Sequence, residues 1–152
     1  MRKKKILFFC SHNACRSQIA EALLRQLASE RFDVYSAGLK PRPVHPLVRT
    51  VMKECGIDTS TQTSKSISFY IGKEVFNHVV IVCKESEADC PALHPFALNA
   101  VVRWPMNDPS AVQTNDPQDT LDAFRRTRDE LEHKITEWLN DLTNQPEQGA
   151  DK

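Results

Sequence analysis

Six side chains in this sequence have the types and spacing for chemistry on an oxyanion: Cys10, Arg16, Ser17, Cys83, Cys90 and Asp108. Cys10 and Arg16 bracket one short polar stretch, KILFFCSHNACRS from Lys5 to Ser17, with Ser11, His12, Asn13, Ala14 and Cys15 between them. A loop wrapped at a helix N-terminus aims several backbone N–H groups at one point and adds the positive end of the helix dipole. A tetrahedral oxyanion suits that point, and the Arg16 guanidinium can clamp two of its oxygens with a planar fork of donors. The same field favours thiolate over thiol at Cys10, which predicts a pKa below ~8.5. Ser17 can donate a hydrogen bond to the sulfur. A thiolate under a bound oxyanion is a nucleophile aimed at phosphorus or arsenic.

The elements around the loop follow from hydrophobic patterning. Ile6, Leu7, Phe8 and Phe9 form a short apolar run after a basic lead, the pattern of a parallel strand covered on both faces. IAEALLRQLA then reads as a helix with Ile19, Leu23 and Leu27 on its apolar side. Phe32, Val34 and Tyr35 predict a second strand, ended by Ser36, Ala37 and Gly38, and LKPRPVHP is a proline-rich connection. Pro46 suits a first helical turn, and Gly56 a C-terminal stop. Leu47, Val48, Val51, Met52 and Cys55 share a face of that helix, so Cys55 is expected in the core. Glu74 to His78 is read as closing a short helix before a strand from Val79 to Cys83, and a last strand is expected over Val101 to Trp104. The final helix opens with Asp116 as cap and Pro117 in its first turn, and presents Leu121, Phe124, Leu131, Ile135, Trp138, Leu139 and Leu142 to the core.

Strands alternating with helices predict an α/β fold with a parallel sheet and right-handed crossovers; four strands fit a three-layer sandwich, and the order expected for them is 2-1-3-4. In that order the first and third strands are neighbours at the point where the winding reverses, where ligands bind beyond the carboxyl ends. Both strands end in cysteine, and adjacent strands lie ~4.8 Å apart, so Cys10 and Cys83 fall within disulfide reach. Cys83 and Cys90 would stand ~10 Å apart on a regular helix, whereas a disulfide needs ~5.5 Å. A bond between them requires the charged KESEAD segment to bend. The three thiols then read as a relay: Cys10 attacks the oxyanion centre, Cys83 attacks the Cys10 adduct, and Cys90 moves the disulfide outward. Asp108, in the loop after the last strand, is placed to protonate a leaving oxygen.

The 152 residues suit one catalytic domain, expected over residues 1–142, with a polar disordered tail over 143–152. Twenty basic and twenty acidic side chains give zero formal charge, which argues against a sequence-independent nucleic-acid binder. No apolar stretch approaches the ~20 residues of a membrane span. A cytoplasmic monomer is expected, and in such a protein five cysteines, an odd number, fit catalytic, metal-binding or buried roles better than a disulfide framework. A structural zinc site at Cys83, Cys90 and His94 lacks the usual close pairing of ligands, so no metal is expected.

Cys10-x5-Arg16-Ser17 with Asp108-Pro109 resembles the low-molecular-weight tyrosine phosphatase fold. CSHNACRSQIAEALLR, YSAG at Tyr35 to Gly38, Cys83-x6-Cys90-Pro91 and FRRTRDEL at Phe124 to Leu131 resemble the thioredoxin-coupled arsenate reductases. The resemblance spans about Lys4 to Leu142. It implies reduction of arsenate to arsenite with no bound cofactor and with thioredoxin as electron donor. It implies Cys10 as nucleophile, Arg16 as oxyanion clamp, Ser17 as thiolate partner, Asp108 as general acid and Cys83/Cys90 as redox pair. Phosphate and sulfate are the expected competing oxyanions. His12 stands where the phosphatases have glycine. Some members hold potassium near residues matching Asn13, Glu21 and Ser36 with an acidic residue further on; Lys65 stands at that acidic position, which predicts no potassium requirement. The alternative is a phosphatase acting on phosphotyrosine or small esters, which needs Cys10, Arg16 and Asp108 but neither Cys83 nor Cys90.

Overall fold

A computed structural model describes residues 3–90 and 97–144. Four parallel strands, β1 (Lys4–Cys10), β2 (Phe32–Gly38), β3 (Phe76–Ile81) and β4 (Ala97–Arg103), form one sheet in the order β2-β1-β3-β4. This is the expected topology, with β1 and β3 adjacent at its centre. The helices are α1 (Arg16–Ala28), α2 (Pro46–Lys53) and α3 (Pro117–Asn144). Ile6, Leu7, Phe8 and Phe9 are all buried, as a central parallel strand requires.

Strand alternation sends Phe32 and Tyr35 to opposite faces of the sheet. On one face α1 packs against α3, and Trp138 of α3 meets Phe32 and His78. On the other, Tyr35 meets Tyr70, which follows a short 3-10 turn at Ile67–Phe69, edge-on at 5.4 Å between ring centroids. Burial along α1 depends on position along its axis rather than on one face. Arg16 to Leu24 are buried all round, and the helix emerges at Arg25. Leu27, expected in the core, is therefore 47% exposed.

Several expected boundaries shift. β2 continues through Ser36, Ala37 and Gly38, because Gly38 pairs with Cys10 in the β1 ladder. Phe76 to His78 belong to β3 and not to a helix: Phe76 pairs with Ala97, and His78 with both Ile6 and Ala100. Val82 and Cys83 lie just past the end of β3, where the Val82 N–H still donates to Phe9 O. β4 begins at Ala97 rather than Val101. Cys55 is exposed: a Schellman turn, Ile57 N to Met52 O and Gly56 N to Lys53 O with Gly56 at φ +75°, reverses the chain and swings Cys55 off the buried face. Asp116 caps α3 by accepting from Gln118 N at 2.9 Å. The helix runs two residues into the expected tail, and residues 145–152 lie outside the described residues.

Candidate active site

The loop from Cys10 to Arg16 is built from its carbonyls outward. Residues 39–45, read from sequence only as a connection, run beside it as a rail. Leu39, Lys40, Arg42 and His45 donate their backbone N–H groups to the carbonyls of Cys10, Ser11, His12 and Ala14 at 2.9–3.2 Å. The remaining loop carbonyls are also taken: Asn13 O accepts from Gln18 Nε2, and Cys15 O from Ile19 N. Each peptide N–H points opposite its own carbonyl, so the N–H groups of Ser11, His12, Asn13 and Cys15 turn away from the rail. The Asn13 N–H accordingly meets the Cys10 sulfur at 3.2 Å. The close approach of loop to sheet depends on Gly38, where a Cβ would lie 2.7 Å from Asn13 N and 2.8 Å from His12 C.

Asn13 adopts a left-handed conformation, φ 51°, and its side chain pins the loop. Its amide donates to Ser17 Oγ and Ser36 Oγ and accepts from Lys65 N. Because Ser17 Oγ accepts from Asn13, its own proton is free for the Cys10 sulfur, 2.9 Å away. Ser36 in turn donates to buried Glu21. The Lys65 ammonium donates to Thr63 O at 2.5 Å; burial lowers its pKa, partly offset by the charge of Glu21.

Of the catalytic candidates, the cup's lining brings together Cys10, Arg16 and Asp108 and leaves out Ser17, Cys83 and Cys90. Cys10, His12, Ala14, Cys15, Arg16 and Asp108 line one cavity with Arg42, Pro43, His45 and Ser110. Arg16 is buried, and its Nε has no hydrogen-bond partner among the described residues. Burial opposes the Arg16 charge, but Glu87, Cys10 and Asp108 outweigh it and raise the pKa. Asp108 Oδ2 lies 3.9 Å from Arg16 Nη2, while its Oδ1 accepts from Ser110 N and Oγ at 2.9 and 2.7 Å. Ser110 thus orients the acid. Burial, with the charges of Asp108 and Cys10, pushes the Cys15 thiol up to about 12, which marks it as packing.

Cys83 and Cys90 form a disulfide with Cα atoms 5.8 Å apart. The segment between them is bent into turns, Glu87 N to Lys84 O and Cys90 N to Glu87 O. His94 lies outside the described residues. Among the described residues no cluster of three His, Cys, Asp or Glu side chains is placed to hold a metal, and no helix is long and apolar enough to cross a membrane.

Sequence reasoning missed Arg42, Pro43, His45 and Glu87. His45 had a signal, a hydrogen-bonding residue before Pro46. Its Nδ1 accepts from Leu47 N at 3.1 Å, and its ring stacks on Phe124 at 4.6 Å. Burial, partly offset by Asp108, lowers its pKa. FRRTRDEL finds a structural use: Arg125 and Arg128 both bind Glu54 just past α2, and their hydrogen bonds bring its carboxyl down to about 2.

Residues 5–148 match the family described as low molecular weight phosphotyrosine protein phosphatase. An arsenate reductase of Halalkalibacterium halodurans is 37% identical over 135 residues, 89% of this chain and 94% of the relative. A solved arsenate reductase in its phosphate-binding state superposes with a TM-score of 0.75 at 28% identity, covering 91% of this chain and 98% of that one. A thioredoxin-dependent arsenate reductase of Corynebacterium glutamicum gives 0.59 at 28% identity, covering 88% of this chain and 62% of that one.

Proposed function

The chain belongs to the low molecular weight phosphotyrosine protein phosphatase family, within its arsenate reductases, and from that membership we propose that it reduces arsenate to arsenite through Cys10, Cys83 and Cys90. One observation carries the reading: a disulfide between Cys83 and Cys90 stands beside an oxyanion cup that keeps Cys10 as a free thiol.

The loop N–H groups and Arg16 hold the arsenate. The Cys10 thiolate forms an S–As bond as an As–O bond breaks, and Asp108 gives the departing oxygen a proton so that it leaves as water. The Cys83 thiolate then attacks Cys10 Sγ. An S–S bond forms, the S–As bond breaks, and its electron pair stays on arsenic, which departs as arsenite, As(III). The Cys90 thiolate attacks Cys83 Sγ, releases Cys10 as thiolate and leaves Cys83–Cys90. The thiol protons of Cys83 and Cys90 go to solvent, and the dithiol of thioredoxin returns two electrons. One cytoplasmic chain carries every group required, so the working unit is a monomer.

The cup has a wall of Arg42, Pro43 and Ser110, and its lining among the described residues includes no Phe, Tyr or Trp. A phosphotyrosine ring would find no aromatic partner there. The test is NADPH consumption with thioredoxin, thioredoxin reductase and arsenate. Turnover by the wild type and its loss in Cys83→Ser is the expected result. Aryl-phosphate hydrolysis that survives Cys83→Ser, without thioredoxin-coupled turnover, would move the assignment to phosphatase.

A further inference from the structure

We propose that Glu87 is a redox-coupled competitor for the oxyanion clamp: with the Cys83–Cys90 disulfide closed, its carboxylate takes the Arg16 guanidinium and weakens binding of the external oxyanion. The proposal rests on the oxyanion reading of the cup and adds a residue that the relay itself does not use.

Glu87 lies within the bridged segment. Its Oε2 accepts from Arg16 Nη1 at 2.5 Å and from Lys84 N at 3.0 Å; its Oε1 accepts from Arg16 Nη2 at 2.8 Å and from Ser11 Oγ at 3.0 Å. Both oxygens are therefore engaged, two of the four contacts being the parallel guanidinium pair with which arginine recognises oxyanions. Burial works against the Glu87 charge, but the bonds from Arg16, Lys84 and Ser11 prevail and bring the carboxyl down to about 2. Two residues on, Asp89 meets His12 Nε2 at 3.1 Å and Lys40 Nζ at 3.3 Å. The segment thus lays one carboxylate on the guanidinium and a second on the outer side of the same loop.

An arsenate or phosphate dianion arriving in this state would need Nη2, which Glu87 holds, and would bring its charge against a fixed carboxylate. It has one advantage over Glu87, the unpartnered Arg16 Nε. The contest is thus decided by how firmly the segment is held. The closed disulfide bends the segment so that Glu87 reaches Arg16; opening the bridge removes that constraint. By linkage, an oxyanion preferring the reduced form must also favour reduction of the disulfide. With Arg16 held by Glu87, the spent protein meets its reductant with a weakened hold on arsenite and cellular phosphate.

The test uses the full chain and inorganic phosphate as probe, titrated calorimetrically against dithiol and disulfide forms of wild type and Glu87→Gln, with the bridge verified by thiol counting. Oxidised wild type should bind phosphate about tenfold more weakly than reduced, and oxidised Glu87→Gln should recover most of that loss. In wild type alone, saturating phosphate should raise the Cys83/Cys90 potential by about 30 mV for a tenfold preference. Equal affinities in the two wild-type forms, or an oxidised Glu87→Gln as weak as oxidised wild type, would overturn the proposal. Failure of reduced wild type to bind phosphate would overturn the cup as well. The expected phosphate pattern without arsenate turnover would uphold the proposal and remove only the arsenate reaction.

Discussion

The loop at 10–16 and the segment at 84–90 meet at one guanidinium but are held in place by different means. Every carbonyl from Cys10 to Cys15 has an internal donor, and Ser11, Asn13, Arg16 and Ser17 are buried. The segment has a single covalent bridge, two short turns and carboxylates that reach across to the loop. A geometry fixed by saturated backbone persists through a reaction cycle. One fixed by a reducible bond changes with it. In the proposed relay, binding falls to the first region and turnover to the second.

Breaking the second region alone should produce the largest effect. Cys90→Ser should complete one turnover and then stall, lowering steady-state arsenate reduction at least a hundredfold, about 2.7 kcal/mol of apparent barrier. Stopped-flow rates against steady-state rates separate the two, and sustained turnover would merge the roles assigned to the two regions.

Breaking the first region calls for Gly38→Ala. The added methyl meets loop backbone rather than a yielding side chain, at a cost of about 1–3 kcal/mol and several degrees of melting temperature. Phosphate affinity should fall with it. An unchanged melting curve would show that the loop gives way more easily than its hydrogen bonding implies.

These two variants also mark what could be read from the sequence. That Cys10, Arg16 and Ser17 share one loop was legible because strand, loop and helix onset are local signals, and the parallel sheet followed from the alternation of elements. The rail at 39–45 was not: its prolines mark a connection, whereas its work is done by backbone N–H groups whose register is set by Cys10 pairing with Gly38. Gly38 carried a motif but no visible reason, since its neighbours His12 and Asn13 are distant in sequence. Glu87 read only as one charge in an exposed stretch, because its partner Arg16 lies 71 positions away. Cys55 misled because helical spacing extends a face beyond the point where the backbone turns.

A smaller effect tests the sheet beneath the site. His78 is buried in β3 against Trp138, and neither ring nitrogen has a hydrogen-bond partner among the described residues. Burial, then the charge of Lys4, lowers its pKa. The unfolded chain therefore takes up the proton first, so stability falls as pH drops below ~6.5 and levels off below the folded pKa. The slope is at most about 1.4 kcal/mol per pH unit, with His45 adding the same sign. His78→Phe should flatten the dependence of urea midpoint on pH; an unchanged slope would assign it elsewhere.

The smallest effect expected is none. With the Lys65 ammonium on Thr63 O and in the field of Glu21, exchange of potassium for sodium at constant ionic strength should leave melting temperature and activity alone. A clear rise with potassium would mean that the loop's support is not self-contained.

The relay itself is tested most directly by single-turnover stoichiometry. Fully reduced protein is mixed with excess arsenate and no reductant, then quenched in acid and mapped by mass spectrometry. One arsenite and one Cys83–Cys90 disulfide per chain, with Cys10 free, is the predicted result, and Cys90→Ser should trap Cys10–Cys83 instead. Arsenite formed while Cys83 and Cys90 remain thiols would contradict the account.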